Sequence, residues 1–176
     1  SHARGKQFLY DEGLHLPLVI SGPGVDPGTV RHDVVEHIDI AALSLAAAGI
    51  EIPAYMQAKN ILAEDYQPRE AVFAARDRCD ETVDHIRSVR TTDFKYIRNF
   101  YPHYPNTPSA DALRSPVFRT MQKLRDAGKL NAAQLNCFIK PRPKKELYDL
   151  ENDPYELNNL AGKPQYVTHL KRLRAE

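Results

Sequence analysis

The chain has 176 residues, 42% of them apolar and 27% charged, with a formal net charge of +1. That balance describes a globular chain able to build a core, and it excludes recruitment of nucleic acid or acidic membrane by bulk charge. No apolar run reaches the about 18–20 residues that span a bilayer, and the two cysteines, Cys79 and Cys137, give neither a disulfide framework nor metal-finger spacing and are expected as free thiols.

In chain order, Gly5-Lys6 precedes an aromatic turn at Tyr10–Gly13. The continuous apolar run Leu16–Ile20 predicts a buried strand of a parallel sheet, and Ser21–Gly28 a turn-rich connector. Val30–Glu36 holds a short extended piece. Asp39 is expected to cap a helix over Ile40–Ala48, with Ile40, Leu43 and Ala47 on one stripe and Gly49 as its stop. His37 beside Asp39 invites a metal reading, but N-capping accounts for the spacing better.

Residues 50–69 are irregular, with Pro53 and Pro68, and mark the expected boundary between two units, 1–65 and 66–176. Ala71–Ala75 reads as a strand, followed by a polar loop at Arg76–Glu81. Ile86–Thr91 and Phe94–Asn99 read as a hairpin. Tyr101–Pro108 is a proline-rich loop. Ser115-Pro116 starts a helix with Val117, Met121 and Leu124 in a stripe, ended by Gly128. Asn131 and Gln134 form a capping-box pattern. Glu146–Leu150 is a strand, Asn152-Asp153-Pro154 a turn, and Pro164 opens a last helix with Tyr166, Leu170 and Leu173 on one face. From residue 66 onward this adds up to an antiparallel sheet with helices on one face.

Three blocks carry a resemblance. Residues 4–24, with Lys6, Tyr10, Gly13, Pro17, Leu18, Pro23 and Gly24, follow a G-K-x-x-x-Y-x-x-G-x-x-x-P-L-x-x-x-x-P-G pattern. The hairpin Ile86–Asn99 is the second block. The third, Glu146–Ala161, fits x-L-Y-D-L-x-x-D-P-x-E-x-x-N-L. Together they resemble the late part of a sulfatase of the alkaline-phosphatase-like superfamily. The Ser115–Phe138 insert and Asn99-Phe-Tyr-Pro are similar to the sulfamidase (heparan N-sulfatase) branch. The resemblance implies an α/β fold, α+β in its C-terminal part: residues 1–65 close the α/β sandwich of the catalytic domain, and residues 66–176 form a small subdomain with a four-stranded antiparallel sheet.

The same resemblance implies a sulfuric ester hydrolase acting on a sulfated carbohydrate such as a glycosaminoglycan. A hydrated formylglycine attacks sulfur, a divalent cation (calcium most often) polarises the sulfate oxygens, and a lysine stabilises the added charge. Lys6 is the expected catalytic residue: a compact cation with three donors suits a sulfate group. Substrate contact is expected from His2, Arg4, Arg76, Asp77, Arg78, Asp80 and His85, with arginine forking onto sulfate or carboxylate. Cys79 is followed by Asp-Glu-Thr and Cys137 by Phe-Ile-Lys, so neither fits the C-x-P-S-R nucleophile motif. The metal pairs belong upstream, so residues 1–176 alone are expected to be inactive and to bind no metal. Tyr10, Asp11 and Glu12 are expected to shape a turn, His15 to be structural, and Arg87, Arg90, Lys95 and Arg98 to form a solvated basic hairpin face.

Two other readings stay open: a phosphodiesterase or phosphonate hydrolase of the same superfamily, and a non-catalytic sugar-binding module. The expected partners are the sulfated substrate and the N-terminal catalytic portion. Without that portion, residues 1–50 would expose apolar surface and self-associate. The resemblance points to a periplasmic, secreted or lysosomal setting.

Overall fold

The computed structural model describes residues 7–79, 81–106, 108 and 110–176. Its centre is an antiparallel sheet in the order β1-β2-β3-β4, made of β1 (Val72–Cys79), β2 (Thr82–Arg90), β3 (Phe94–Asn99) and β4 (Lys145–Asp149). The sheet expected from the sequence is therefore present, with β1 and β2 longer than the apolar patterns alone mark.

Alternation along the strands makes two unlike faces. One buries Val89, Tyr96 and Leu147 against Leu160 and Leu173, with Tyr166 and Leu170 packed beside them. The last helix, α6 (Val167–Ala175), lies on this face. The other face buries Ile86, Ile97 and Tyr148 beneath Phe8, Leu9 and Tyr10. The first described residues of the chain thus roof a sheet built from the middle and end of the sequence.

The closing block also seals the sheet edge. The Leu147 amide donates to Asn159 Oδ1 at 3.0 Å, Asn159 Nδ2 donates to the Lys145 carbonyl at 3.0 Å, and the Leu160 amide donates to the Leu147 carbonyl at 2.8 Å. Those bonds satisfy groups that an open β4 edge would leave to solvent or another chain.

The helical elements follow their caps. In α4 (Pro116–Asp126) the Ser115 hydroxyl accepts from the Phe118 amide at 3.2 Å. The buried position is Phe118, while Val117 is exposed, so the stripe of Val117, Met121 and Leu124 is rotated from the face that packs. In α5 (Ala132–Leu135) Asn131 and Gln134 complete the capping box. Gly49 and Gly128 follow helix ends at φ +68° and +65°, as left-handed stops. Two further helices, α1 (Asp11–Leu14) and α3 (Ala110–Arg114), are short.

Residues 15–70 depart most from expectation. Leu16–Ile20 forms no strand, and Val19 is 89% exposed. A strand needs a neighbour to take its backbone hydrogen bonds, and the described residues supply none here. His15 is accordingly exposed, its ring 3.6 Å from Asp11. The helix α2 (Asp39–Ala47) forms, but Asp39 does not cap it: Ile38 holds the N-cap position. The buried Asp39 carboxylate instead accepts from the amides of Glu36 and Lys59, at 2.9 and 2.7 Å, and from Arg69 Nη2 at 2.6 Å. It ties the irregular 57–69 stretch to the start of α2. Val34 bridges to Arg69, the one β-bridge formed by the expected extended piece. Cys79 and Cys137 are both free thiols.

Candidate active site

Lys6, His2, Arg4 and Asp80 lie outside the described residues. The residues after Lys6 are firmly held. Phe8, Leu9 and Tyr10 are buried, and the Tyr10 hydroxyl donates to Glu146 Oε2 at 2.8 Å. Glu146 also accepts from the Tyr148 hydroxyl at 2.5 Å and from Asn99 Nδ2 at 2.6 Å. Burial, followed by the neighbouring Glu146 charge, pushes the Tyr10 and Tyr148 hydroxyls far above the usual phenol range, so both stay protonated donors.

Asp11 is the hub of a second cluster. Arg90 forks onto its carboxylate through Nε and Nη2, both at 3.0 Å. Lys95 Nζ lies 2.5 Å from Asp11 Oδ1 and 2.8 Å from Glu156 Oε1, and the Asp11 amide donates to Glu156 Oε2 at 2.5 Å. Lys95 is fully buried. Burial works to raise the Asp11 pKa, but hydrogen bonds from Arg90 and Lys95 and their charge hold it below the ordinary carboxylate value. Glu156 goes the other way: burial raises it, and Lys95 only partly offsets that. The expected solvated basic face is therefore corrected. Arg90 and Lys95 point into the covered face, Arg87 pairs with Asp77 at 2.7 Å, and the Arg98 guanidinium stacks on Phe100 at 4.5 Å. Period-two alternation puts Arg90, Lys95, Ile97 and Glu146 on one side, where an acidic partner from another block was needed.

The polar run 76–79 lies within β1 rather than in a loop, so alternation splits the predicted substrate residues. Arg76 is buried, its guanidinium 5.1 Å from the Phe8 ring centre, two positions along from Lys6. Asp77 is on the other side, exposed, with His85 Nδ1 at 3.3 Å. The register steps from Arg76↔Ile86 to Arg78↔Val83, so Asp84 and His85 together face Asp77 in a bulge. The bulge sends Asp84 inward to an ion pair with buried Arg142, which also donates to Asn106 Oδ1 at 3.1 Å. It leaves His85 half-buried, edge-on to Phe100 with ring centres 4.3 Å apart. Arg78 is exposed at the hairpin end. The structure thus joins Asp77, His85 and Arg87 on one side of the hairpin and Arg76 with the Phe8 segment on the other.

A wide concavity of about 1890 Å³ borders the Asp11 cluster at Arg90 and is lined by residues including Leu16, Leu18, Val34, Ile61 and Phe73. Among the described residues, no group of three or more His, Cys, Asp and Glu side chains is placed to hold a metal ion, and no helix is long and apolar enough to cross a membrane.

The small antiparallel sheet is thus roofed by a Tyr-Asp turn and sealed by a D-P-x-E-x-x-N-L block. The family model for the C-terminal part of N-sulphoglucosamine sulphohydrolase matches residues 4–112, and the chain belongs to that family. Among curated relatives, an ulvan-active sulfatase of Formosa agariphila is 36% identical over 98% of this chain and 30% of its own length. The N-sulphoglucosamine sulphohydrolase of Homo sapiens is 27% identical over 97% of this chain and 37% of its own length. The fold is shared with the crystal structure of a putative sulfatase from Bacteroides thetaiotaomicron, at a TM-score of 0.50 and 20% identity, covering 78% of this chain and 22% of that one. The chain spans about a third of the length of these curated relatives.

Proposed function

We propose that this chain is the C-terminal part of a sulfatase that hydrolyses sulfate esters or N-sulfates of a carbohydrate. The observation that carries the reading is that the family match runs across residues 4–112, Lys6 included. Residues 1–65 then complete the catalytic α/β domain and residues 66–176 form the subdomain. Leu16–Ile20 and the exposed side of α2 would be covered by the preceding catalytic portion.

In this reading Lys6 binds the sulfate and stabilises charge gathering on its oxygens. Arg76, packed over Phe8, supplies a second cation on the face roofed by the Phe8–Tyr10 segment. His2, Arg4, Arg78, Asp77, Asp80 and His85 bind the sugar and its charged groups. Asp77 is held by Arg87 and His85 rather than being free to move, which suits a hydrogen-bonding rather than a proton-transfer role. The described residues supply no ligand set for a divalent cation, so no step here runs through one. The sequence contains no C-x-P-S-R nucleophile, so residues 1–176 alone should not turn over.

The test is release of sulfate by the full-length protein from sulfated sugars and an aryl sulfate, set against phosphodiester and phosphonate hydrolysis. Preference for sulfate supports the reading. Preference for the phosphorus substrates moves the protein to the other chemistry of the superfamily, and glycan binding without hydrolysis of either makes it a sugar-binding module.

A further inference from the structure

The two faces of the sheet are built on different principles. The face under α6 is apolar, and apolar packing suffices to hold it. The face under Phe8–Tyr10 buries Arg76, Ser88, Lys95, Asn99 and Glu146 among its apolar residues. Buried ion pairs and polar networks add little net stability over apolar packing, because desolvation offsets their attraction. Where their donors and acceptors meet, such networks hold the joined segments in one arrangement.

Here that arrangement joins segments distant in sequence. Glu156, in the closing block, takes the Asp11 amide and the Lys95 ammonium, while Glu146 takes the Tyr10 hydroxyl. Glu156 is also a non-glycine residue at positive φ, +53°. Backbone held in that region costs energy and persists where the surroundings over-determine it. The strain is accepted at the residue whose carboxylate meets the turn five positions after Lys6.

Resting on the sulfatase reading above, we propose that Glu156, Lys95 and Arg90 through Asp11, and Glu146 through Tyr10, are positioning residues that fix the segment carrying Lys6, so that the closing block sets the geometry of the sulfate site from outside it. None of them is required to touch substrate. The family pattern's Glu, Glu156, acts on the site through Asp11, and its Asn, Asn159, acts on the sheet edge.

The experiment uses the full-length protein with an aryl sulfate as the probe. Glu156→Gly removes the carboxylate and relaxes the positive φ, Glu156→Gln keeps an acceptor for the Asp11 amide, and Leu173→Ala weakens the opposite face without touching the clamp. The expected result is a kcat about 10- to 100-fold lower in Glu156→Gly, with KM within about 2-fold, since misplacement of a catalytic group acts on the transition state. Glu156→Gln should recover part of the loss. Leu173→Ala, compared at a temperature where all are folded, should keep its kcat even if its Tm falls further. Equal kcat losses in Glu156→Gly and Leu173→Ala at equal Tm loss would overturn the proposal.

If the Glu156 variants fail to fold, amide exchange of the wild type decides. The Asp11 amide should exchange with the slow β3 amides; exchange at the intrinsic rate of an unprotected amide would overturn the clamp. An inactive wild type, or one indifferent to Lys6→Ala, would bring down the sulfatase reading itself. An active, Lys6-dependent enzyme indifferent to Glu156 would bring down this inference alone.

Discussion

At the residue scale, the most consequential side chain is Lys95, fully buried between the carboxylates of Asp11 and Glu156. Lys95→Met would leave Glu156 in the interior without its cation. Removing one partner of a buried pair typically costs about 3–5 kcal/mol, and a drop of that size in unfolding free energy is expected by denaturant titration. A loss below about 1 kcal/mol would mean the pair is solvated in practice. Tyr10→Phe should do much less. Glu146 keeps Tyr148 and Asn99 as donors, so the loss is one hydrogen bond, about 1 kcal/mol. Neither effect was legible from composition. Lys95 lies in a hairpin with Arg87, Arg90 and Arg98, and a basic strand pattern reads as solvent-facing until an acidic partner is found in another block. That partner, Asp11, was legible only as a turn residue, because the tie between positions 11 and 156 is tertiary.

At the element scale, Asp39 shows how a local rule was outcompeted. Its position suits an N-cap, but its carboxylate is better satisfied by two loop amides and Arg69 than by its own helix. Burial raises the Asp39 pKa, and the Arg69 and amide hydrogen bonds outweigh it, so the folded value lies below the ordinary 3.8. The folded state therefore binds its proton less readily than the unfolded state. The stability Asp39 contributes is present above the unfolded pKa and is lost as pH falls through the folded one. Amide exchange in residues 57–69 should accelerate as pH falls below the ordinary 3.8, after correction for intrinsic rates, and Asp39→Asn should flatten that dependence. An identical pH profile in the variant would contradict the assignment. The Ser115 cap needs no tertiary partner and was legible in full; Ser115→Ala should cost about 1 kcal/mol.

At the scale of the whole molecule, the sheet, its hairpin, the capping box and the last helix were legible because local alternation, turn chemistry and caps agree there. The 15–70 stretch was not, because its apolar run finds no strand partner among the described residues. Leu16, Leu18 and Val19 are exposed around the concavity. Residues 1–176 alone should therefore associate with a concentration-dependent size in sedimentation, and polar substitution at Leu16 and Val19 should restore a monomer. Lys6, singled out by its motif, lies outside the described residues, and the 76–79 run was misread, since charge suggested a loop and the backbone forms a strand. The central claim, that this segment brings a sulfate-binding lysine to a sulfatase, is tested most directly by kcat/KM for an aryl sulfate in the full-length enzyme with Lys6→Ala. A loss of several hundredfold, about 3–4 kcal/mol of transition-state stabilisation, with folding intact is the expected result. Activity unchanged by the substitution would contradict the account.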